Sequence, residues 1–302
     1  MAQTPRTDDL AAPFSLDAAP VRGRVARLGA GALDPILRRH SYPAPVALLL
    51  GEALLFAALM ASLLKTDGRL IVQAQGDGPV PLLVAEHKGA GALRGYARLS
   101  ASARETLAGA HRLAPREIIG AGVLAVTLDR GEGYDLHQGF VPLEAGTLAE
   151  CAQIYFRDSE QIEARLRLAV GEVHTLDAPA LYRGGGLLMQ KIAGDAARGD
   201  TEEDWRRASI LFGTVEDAEL LDPALSADRV LYRLFHEEGV RLGQARPLAD
   251  QCSCNEERLA AVLHGFDAPT LEGLTEPDGL VHAQCQFCAR AYRLDPARFA
   301  RA

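Results

Sequence analysis

Four thiols stand in two close pairs near the C-terminal end, Cys252-Ser253-Cys254 and Cys285-Gln286-Phe287-Cys288, with 30 residues between the pairs. Ionised thiols are ligands for soft, tetrahedral metal ions, and four of them arriving as two pairs can close a site around zinc. The second pair has the spacing of a zinc knuckle, in which backbone amides turn toward the sulfurs. The first, with one intervening residue, is tighter and unusual among purely structural zinc ribbons. An iron–sulfur cluster also takes four cysteines, but this spacing matches neither common ferredoxin pattern. His264 and His282 lie nearby in sequence; with four sulfurs available they read as solvated or outer-shell histidines. Cys151 shares a helical face with Leu148 and Tyr155 and reads as a buried core thiol.

Two chemistries are open to such a site. A closed zinc staple folds a small module and does nothing more. Zinc-bound thiolates are also already deprotonated, hence nucleophiles toward oxidants, and each pair is close enough in sequence to form a local disulfide once the metal leaves. A nucleic-acid ribbon is disfavoured, because six acids and a single base, Arg258, lie between Cys252 and Cys288. No nucleophile elbow, phosphate loop or metalloprotease signature is present. Gly184-Gly185-Gly186 lacks a following Lys-Ser/Thr, so it reads as a loop or as tight backbone packing. No catalytic residue is assigned and the chain is not read as an enzyme.

The chain that must position these thiols has 302 residues, 48% apolar and 24% charged, which excludes wholesale disorder and a disulfide-dense mini-protein. The formal charge of -8 disfavours a surface for nucleic acid. Five cysteines are too few and odd in number for an extracellular disulfide framework. The polar N-terminus has no apolar signal-peptide core. Val46 to Leu64 is the single stretch resembling a membrane span, but it holds Gly51 and Glu52 and reads as a buried helix, with no membrane partner. A reducing, cytoplasmic compartment is expected.

Along the chain, residues 1 to about 13 read as a loose tail. Val21 to Leu28 alternates as a half-buried strand, and Asp34-Pro35 fits the N-cap and first position of a short helix. Strand-like runs follow at Leu70 to Gln75, Val80 to Glu86 and Leu93 to Leu99, then at Gly122 to Leu128 and His137 to Val141. Thr147 to Glu150 is a capping box, and Ala164, Leu166 and Leu168 alternate with arginines. Strands and helices come without a βαβ rhythm, so the expected class is α+β. Between 199 and 250, twelve acids face six arginines. There Trp205, Ile210, Leu211, Phe212, then Leu220, Leu221, then Val230, Leu231, Leu234 and Phe235 recur at helical spacing, with breaks at Gly213, Asp222-Pro223 and Gly239. This is either a marginally stable helical linker or a set of ordinary helices with acidic solvated faces.

Taken together, these features resemble the 33 kDa chaperonin family (heat shock protein 33, redox-regulated bacterial chaperones). The resemblance covers nearly everything after the polar tail. It rests above all on Cys-X-Cys followed by Cys-X-X-Cys, here Cys252, Cys254, Cys285 and Cys288. It rests also on Val21-Arg-Gly, Gln73-Ala-Gln-Gly-Asp-Gly-Pro79, Arg94-Gly, Tyr155-Phe156 with Ser159-Glu160-Gln161, Gly185-Gly186 and Leu234-Phe-His-Glu-Glu238. The resemblance implies an ATP-independent holdase that is inactive while the four cysteines bind one zinc. Oxidants such as hypochlorite or peroxide, with mild unfolding, would form Cys252–Cys254 and Cys285–Cys288 and release the metal. The linker would then unfold, the chain would form a homodimer, and unfolding client proteins would bind. The expected domains are an N-terminal α+β chaperone domain, 1–198; a metastable helical linker, 199–250; and a zinc redox-switch domain, 251–302. Two other readings stay open: a thiol–disulfide oxidoreductase and a constitutive zinc-stapled binding module.

Overall fold

The chain divides into two units, Met1–Asp250 and Gln251–Ala302. The computed structural model describes residues 8–64, 67–131, 133–176, 178–192 and 201–298. The tail residues 1–7, and 193–200 at the expected domain-to-linker boundary, lie outside the described residues.

The first unit begins with β1 (Leu10–Leu16), β2 (Val21–Leu28), α1 (Leu33–Arg38), α2 (Ala44–Ala61), β3 (Arg69–Gly76), β4 (Leu82–Lys88) and β5 (Ala92–Arg98). It continues with α3 (Ala103–Thr106), α4 (Pro115–Ile119), β6 (Gly122–Asp129), β7 (His137–Pro142), α5 (Leu148–Asp158), β8 (Ala164–Thr175) and β9 (Ala178–Lys191). The acidic segment supplies α6 (Glu202–Gly213), α7 (Asp217–Leu221) and α8 (Ala227–Phe235), then β10 (Val240–Leu242), β11 (Arg246–Pro247) and β12 (Ala249–Asp250). Two sheets result, ordered β10-β1-β2-β9-β8, with β11 also on β1, and β12-β5-β4-β3-β6-β7. All pairings are antiparallel except β12 on β5. The class is α+β, as expected.

Helix α2 is apolar all round, and a helix of that kind must be enclosed. Only Ala44 of its residues escapes burial. It packs against β3, β4 and β5 of one sheet and β2, β8 and β9 of the other. Leu50 and Leu54 abut Gly95 of β5, and Leu55 and Leu59 abut Gly184 and Gly186 of β9. Among the described residues one helix is long and apolar enough to cross a membrane, and it lies at the centre of the buried core. Of the two readings of the three glycines, tight backbone packing holds and a loop does not: they lie within β9, bare where helices press on both faces of the sheet.

Other local signals hold. Thr147 Oγ1 accepts the Glu150 N–H while Glu150 accepts the Thr147 N–H, at 3.2 and 3.0 Å, completing the box that opens α5. Cys151 is fully buried, and burial raises its thiol pKa. Two readings need correction. Leu10 to Pro13 belong to β1, paired residue for residue with β2, rather than to a loose tail. Asp34 is not an N-cap, because α1 starts at Leu33; its carboxylate instead accepts the Tyr182 backbone N–H and Arg38 Nε, both at 2.8 Å.

Candidate metal centre and the covered sheet face

The second unit contains α9 (Glu256–Leu263), α10 (Ala268–Gly273), β13 (Val281–Gln284) and β14 (Ala291–Leu294). Asn255 caps α9 by accepting the Arg258 N–H at 2.9 Å, and Arg258 Nη1 returns to Ser253 O and Oγ at 2.6 and 2.7 Å. The segment bearing Cys252 and Cys254 is thus fastened to the start of α9. Cys285 and Cys288 lie in the turn of the β13–β14 hairpin. Its backbone closes through Ala289 N–H to Cys285 O, 2.8 Å, and Cys285 N–H to Arg290 O, 2.9 Å. Ala289 takes a left-handed φ of 58° to make that turn.

These two pieces bring Cys252, Cys254, Cys285 and Cys288 together, with all four Sγ atoms within 4.8 Å of one another. Cys254 and Cys288 approach to 3.2 Å, and Cys252 and Cys285 to 3.8 Å. Bonds of ~2.3 Å to one tetrahedral ion imply sulfur separations of ~3.8 Å. The donor set and its dimensions therefore fit zinc. The four thiols are half-buried and none is in a disulfide. Burial raises the Cys254 pKa, but hydrogen bonds from Tyr292 and the neighbouring sulfurs outweigh it and bring the thiol down to about 7. Burial, with the sulfurs around it, pushes Cys288 up to about 12. Crowding by neighbouring sulfurs thus holds the proton on Cys288; a divalent cation removes that obstacle.

His282 pairs with Asp278 at 2.8 Å, and neither His282 nor His264 joins the sulfur group. The apolar core of this unit is slight: Leu263, Leu271, Val281 and Leu294. A module of this size needs a further staple. Sequence spacing found all four cysteines but missed Tyr292 and Arg258, whose reach depends on the fold of the hairpin and of the capped helix.

In the first unit, α6 to α8 cover the face of the β1-β2-β9 sheet opposite α2. Trp205, Phe212, Leu220, Leu231, Leu234 and Phe235 form one buried cluster with Ala12, Phe14, Val25, Leu187 and Met189. Phe14 and Phe235 stack at 5.9 Å, and Arg165 lies 5.4 Å over the Trp205 ring. Polar clasps hold the same helices. Arg27, fully buried, donates to Leu225 O at 2.6 Å and Asp222 O at 2.7 Å, and Arg183 donates to Leu221 O at 3.0 Å. Asp8 pairs with both arginines. Within the segment, Arg207 forks onto buried Glu238 at 2.6 and 3.0 Å. The breaks fall where expected: α6 ends at Gly213, α7 before Asp222, and Gly239 is left-handed with φ 70°.

The sequence profile of the family described as Hsp33 protein matches residues 9–295. A 33 kDa chaperonin of Caulobacter vibrioides is 48% identical over 290 residues, covering 96% of this chain and 95% of that protein. One from Azotobacter vinelandii is 40% identical, over 95% and 92% of the two chains. The crystal structure of the Thermotoga maritima 33 kDa chaperonin superposes with a TM-score of 0.77 over 96% of both chains, at 23% identity.

Proposed function

The chain belongs to the Hsp33 family of chaperonins, and on that premise we propose that it is a redox-regulated, ATP-independent holdase. It binds unfolding proteins and prevents their aggregation under oxidative stress. The observation that carries the reading is the convergence of Cys252, Cys254, Cys285 and Cys288 within 4.8 Å. As a bound cofactor, zinc would hold the four as thiolates and supply folding energy that the small apolar core of the second unit lacks.

Oxidation acts on the chain's own sulfurs. Two thiols and one peroxide give a disulfide and two waters, with two electrons passing from sulfur to oxygen. The family resemblance favours Cys252–Cys254 and Cys285–Cys288. The nearest sulfur contacts run across these pairs, so the assignment rests on the resemblance and on the short sequence loops. Both disulfides together consume all four metal ligands, and the second unit, 251–302, then loses its staple.

The effector in this reading is the segment 199–250, attached to the domain 1–198. Its helices are short, with excess negative charge, and their apolar side chains are matched by Phe14, Val25, Leu187 and Met189 beneath. Release of α6 to α8 exposes both surfaces to an unfolding client, and the surplus acids keep the complex soluble. The active form is read as a cytoplasmic homodimer with protein clients, without nucleic acid, membrane or catalytic turnover. The oxidoreductase alternative is weakened by the hairpin position of Cys285 and Cys288, since a redox-catalytic Cys-X-X-Cys opens a helix.

The test is suppression of aggregation of a thermally unfolding client without ATP. Peroxide-treated protein is expected to suppress it, and a thiol reductant to return the cysteines to thiols. Equal activity of the reduced, zinc-loaded protein rejects the switch and leaves a constitutive binder.

A further inference from the structure

Tyr292 stands on β14 opposite Ala283 of β13. Its hydroxyl donates to Cys254 Sγ at 3.2 Å. The hydroxyl thus draws electron density from one sulfur of the four.

We propose that Tyr292 is a positioning residue that shields the Cys254 sulfur and leaves Cys252 as the thiolate of that pair that attacks an oxidant first. This rests on the redox-switch reading. With the metal bound all four sulfurs are ionised, so a hydrogen bond there acts on nucleophilicity rather than on the amount of thiolate. In the first step Cys252 attacks peroxide: a sulfur–oxygen bond forms, the oxygen–oxygen bond breaks and hydroxide leaves. In the second, Cys254 gives up the Tyr292 hydroxyl and attacks the sulfenic sulfur; the disulfide forms and a second hydroxide leaves. Two thiolates and one peroxide become one disulfide and two hydroxides. The hydroxyl therefore sets the order of events within the Cys-X-Cys pair.

Tyr292→Phe removes the hydroxyl and keeps the ring in the small apolar cluster of the second unit. The experiment is site-resolved mass spectrometry of zinc-loaded protein treated with limiting iodoacetamide and, separately, with limiting peroxide. In Tyr292→Phe, Cys254 is expected to react roughly fivefold faster than in the native chain, with the other three cysteines unchanged, as loss of one hydrogen bond implies. Leu294→Ala loosens the same hairpin without touching the hydroxyl, and is expected to accelerate all four together. An unchanged Cys254 rate in Tyr292→Phe, or an acceleration shared equally by all four cysteines, overturns the proposal. Alkylation needs no oxidation, so the contact can fail or hold whether or not peroxide turns on client binding.

Discussion

A Cβ placed on Gly185 would lie 2.5 Å from the carbonyl oxygen of Leu220. Helix α7 therefore rests on bare backbone of β9, closer than any side chain permits. Gly185→Val is expected to lift α7 and weaken the whole helical cover, by about 1–3 kcal/mol if overpacking elsewhere is a guide. The reduced, zinc-loaded variant should then suppress client aggregation where the native chain does not. Inactive reduced variant with native Trp205 emission would mean that α7 can yield without freeing its neighbours.

The guanidinium clasps give a second handle. Arg183→Met removes a donor to Leu221 O and one partner of Asp8, leaving a partly buried carbonyl unsatisfied. Loss of about 1–3 kcal/mol is expected, read as a lower urea midpoint of Trp205 fluorescence in the reduced protein. Arg27→Met, which strips two carbonyls at a fully buried site, should cost more. Matching midpoints for Arg183→Met and the native chain would assign the holding energy to the apolar contacts alone.

Metal analysis of the reduced protein should return about one zinc per chain, by the four-ligand tetrahedral argument. Cys285→Ser should lower zinc affinity by orders of magnitude and unfold the second unit, where the buried apolar side chains among the described residues, Leu263, Leu271, Val281 and Leu294, are too few to hold it. Full zinc affinity in Cys285→Ser would remove that cysteine from the ligand set.

Trp205 is the sole tryptophan and is buried, under Arg165. Peroxide with gentle warming is expected to shift its emission to the red as α6 leaves the sheet. Chaperone activity arising with the emission unchanged would relocate the client surface away from α6.

Two buried groups give the first unit opposing responses to pH. Burial pushes the Glu52 carboxyl up to about 7, against the pull of Arg112 at 2.6 Å. A raised acid binds protons in the folded state first, so its contribution is full below about pH 4.5 and is lost as pH rises toward 7. Burial holds His87 down, to about 4. Its contribution is full above 6.5 and is lost as pH falls toward 4. Glu52→Gln should remove the falling component, worth on the order of 3 kcal/mol, and leave stability rising with pH across this window. Urea titrations of reduced protein between pH 4.5 and 8 check this; parallel curves for the variant and the native chain would contradict it.

Much of this protein is legible in its sequence because the signals are local. Two-residue alternation marked β2 and the start of β8, and short apolar runs marked β3 to β7 within a few residues. Thr147 and Glu150 announced α5, and Gly213, Asp222-Pro223 and Gly239 punctuated the acidic helices, since each break depends on one residue's own backbone. The type and spacing of the two cysteine pairs announced a cluster of four sulfurs placed to hold a metal ion. Where a partner distant in the chain decides, sequence reasoning stopped. Leu10 to Pro13 look like tail until Arg24 to Arg27 pair with them. Asp34 looks like a cap until Tyr182 claims its carboxylate. Gly184 to Gly186 read as a loop or as tight packing, and only α2 and Leu220 pressing on the two faces of β9 decide for the packing. The hydroxyl on Cys254 comes from 38 residues away, and Arg27 meets Leu225 across 198. Spacing along the chain fixes which side chains share an element and a face; only the packing of elements against one another fixes which of them touch, because contact distance in a folded chain is independent of sequence distance.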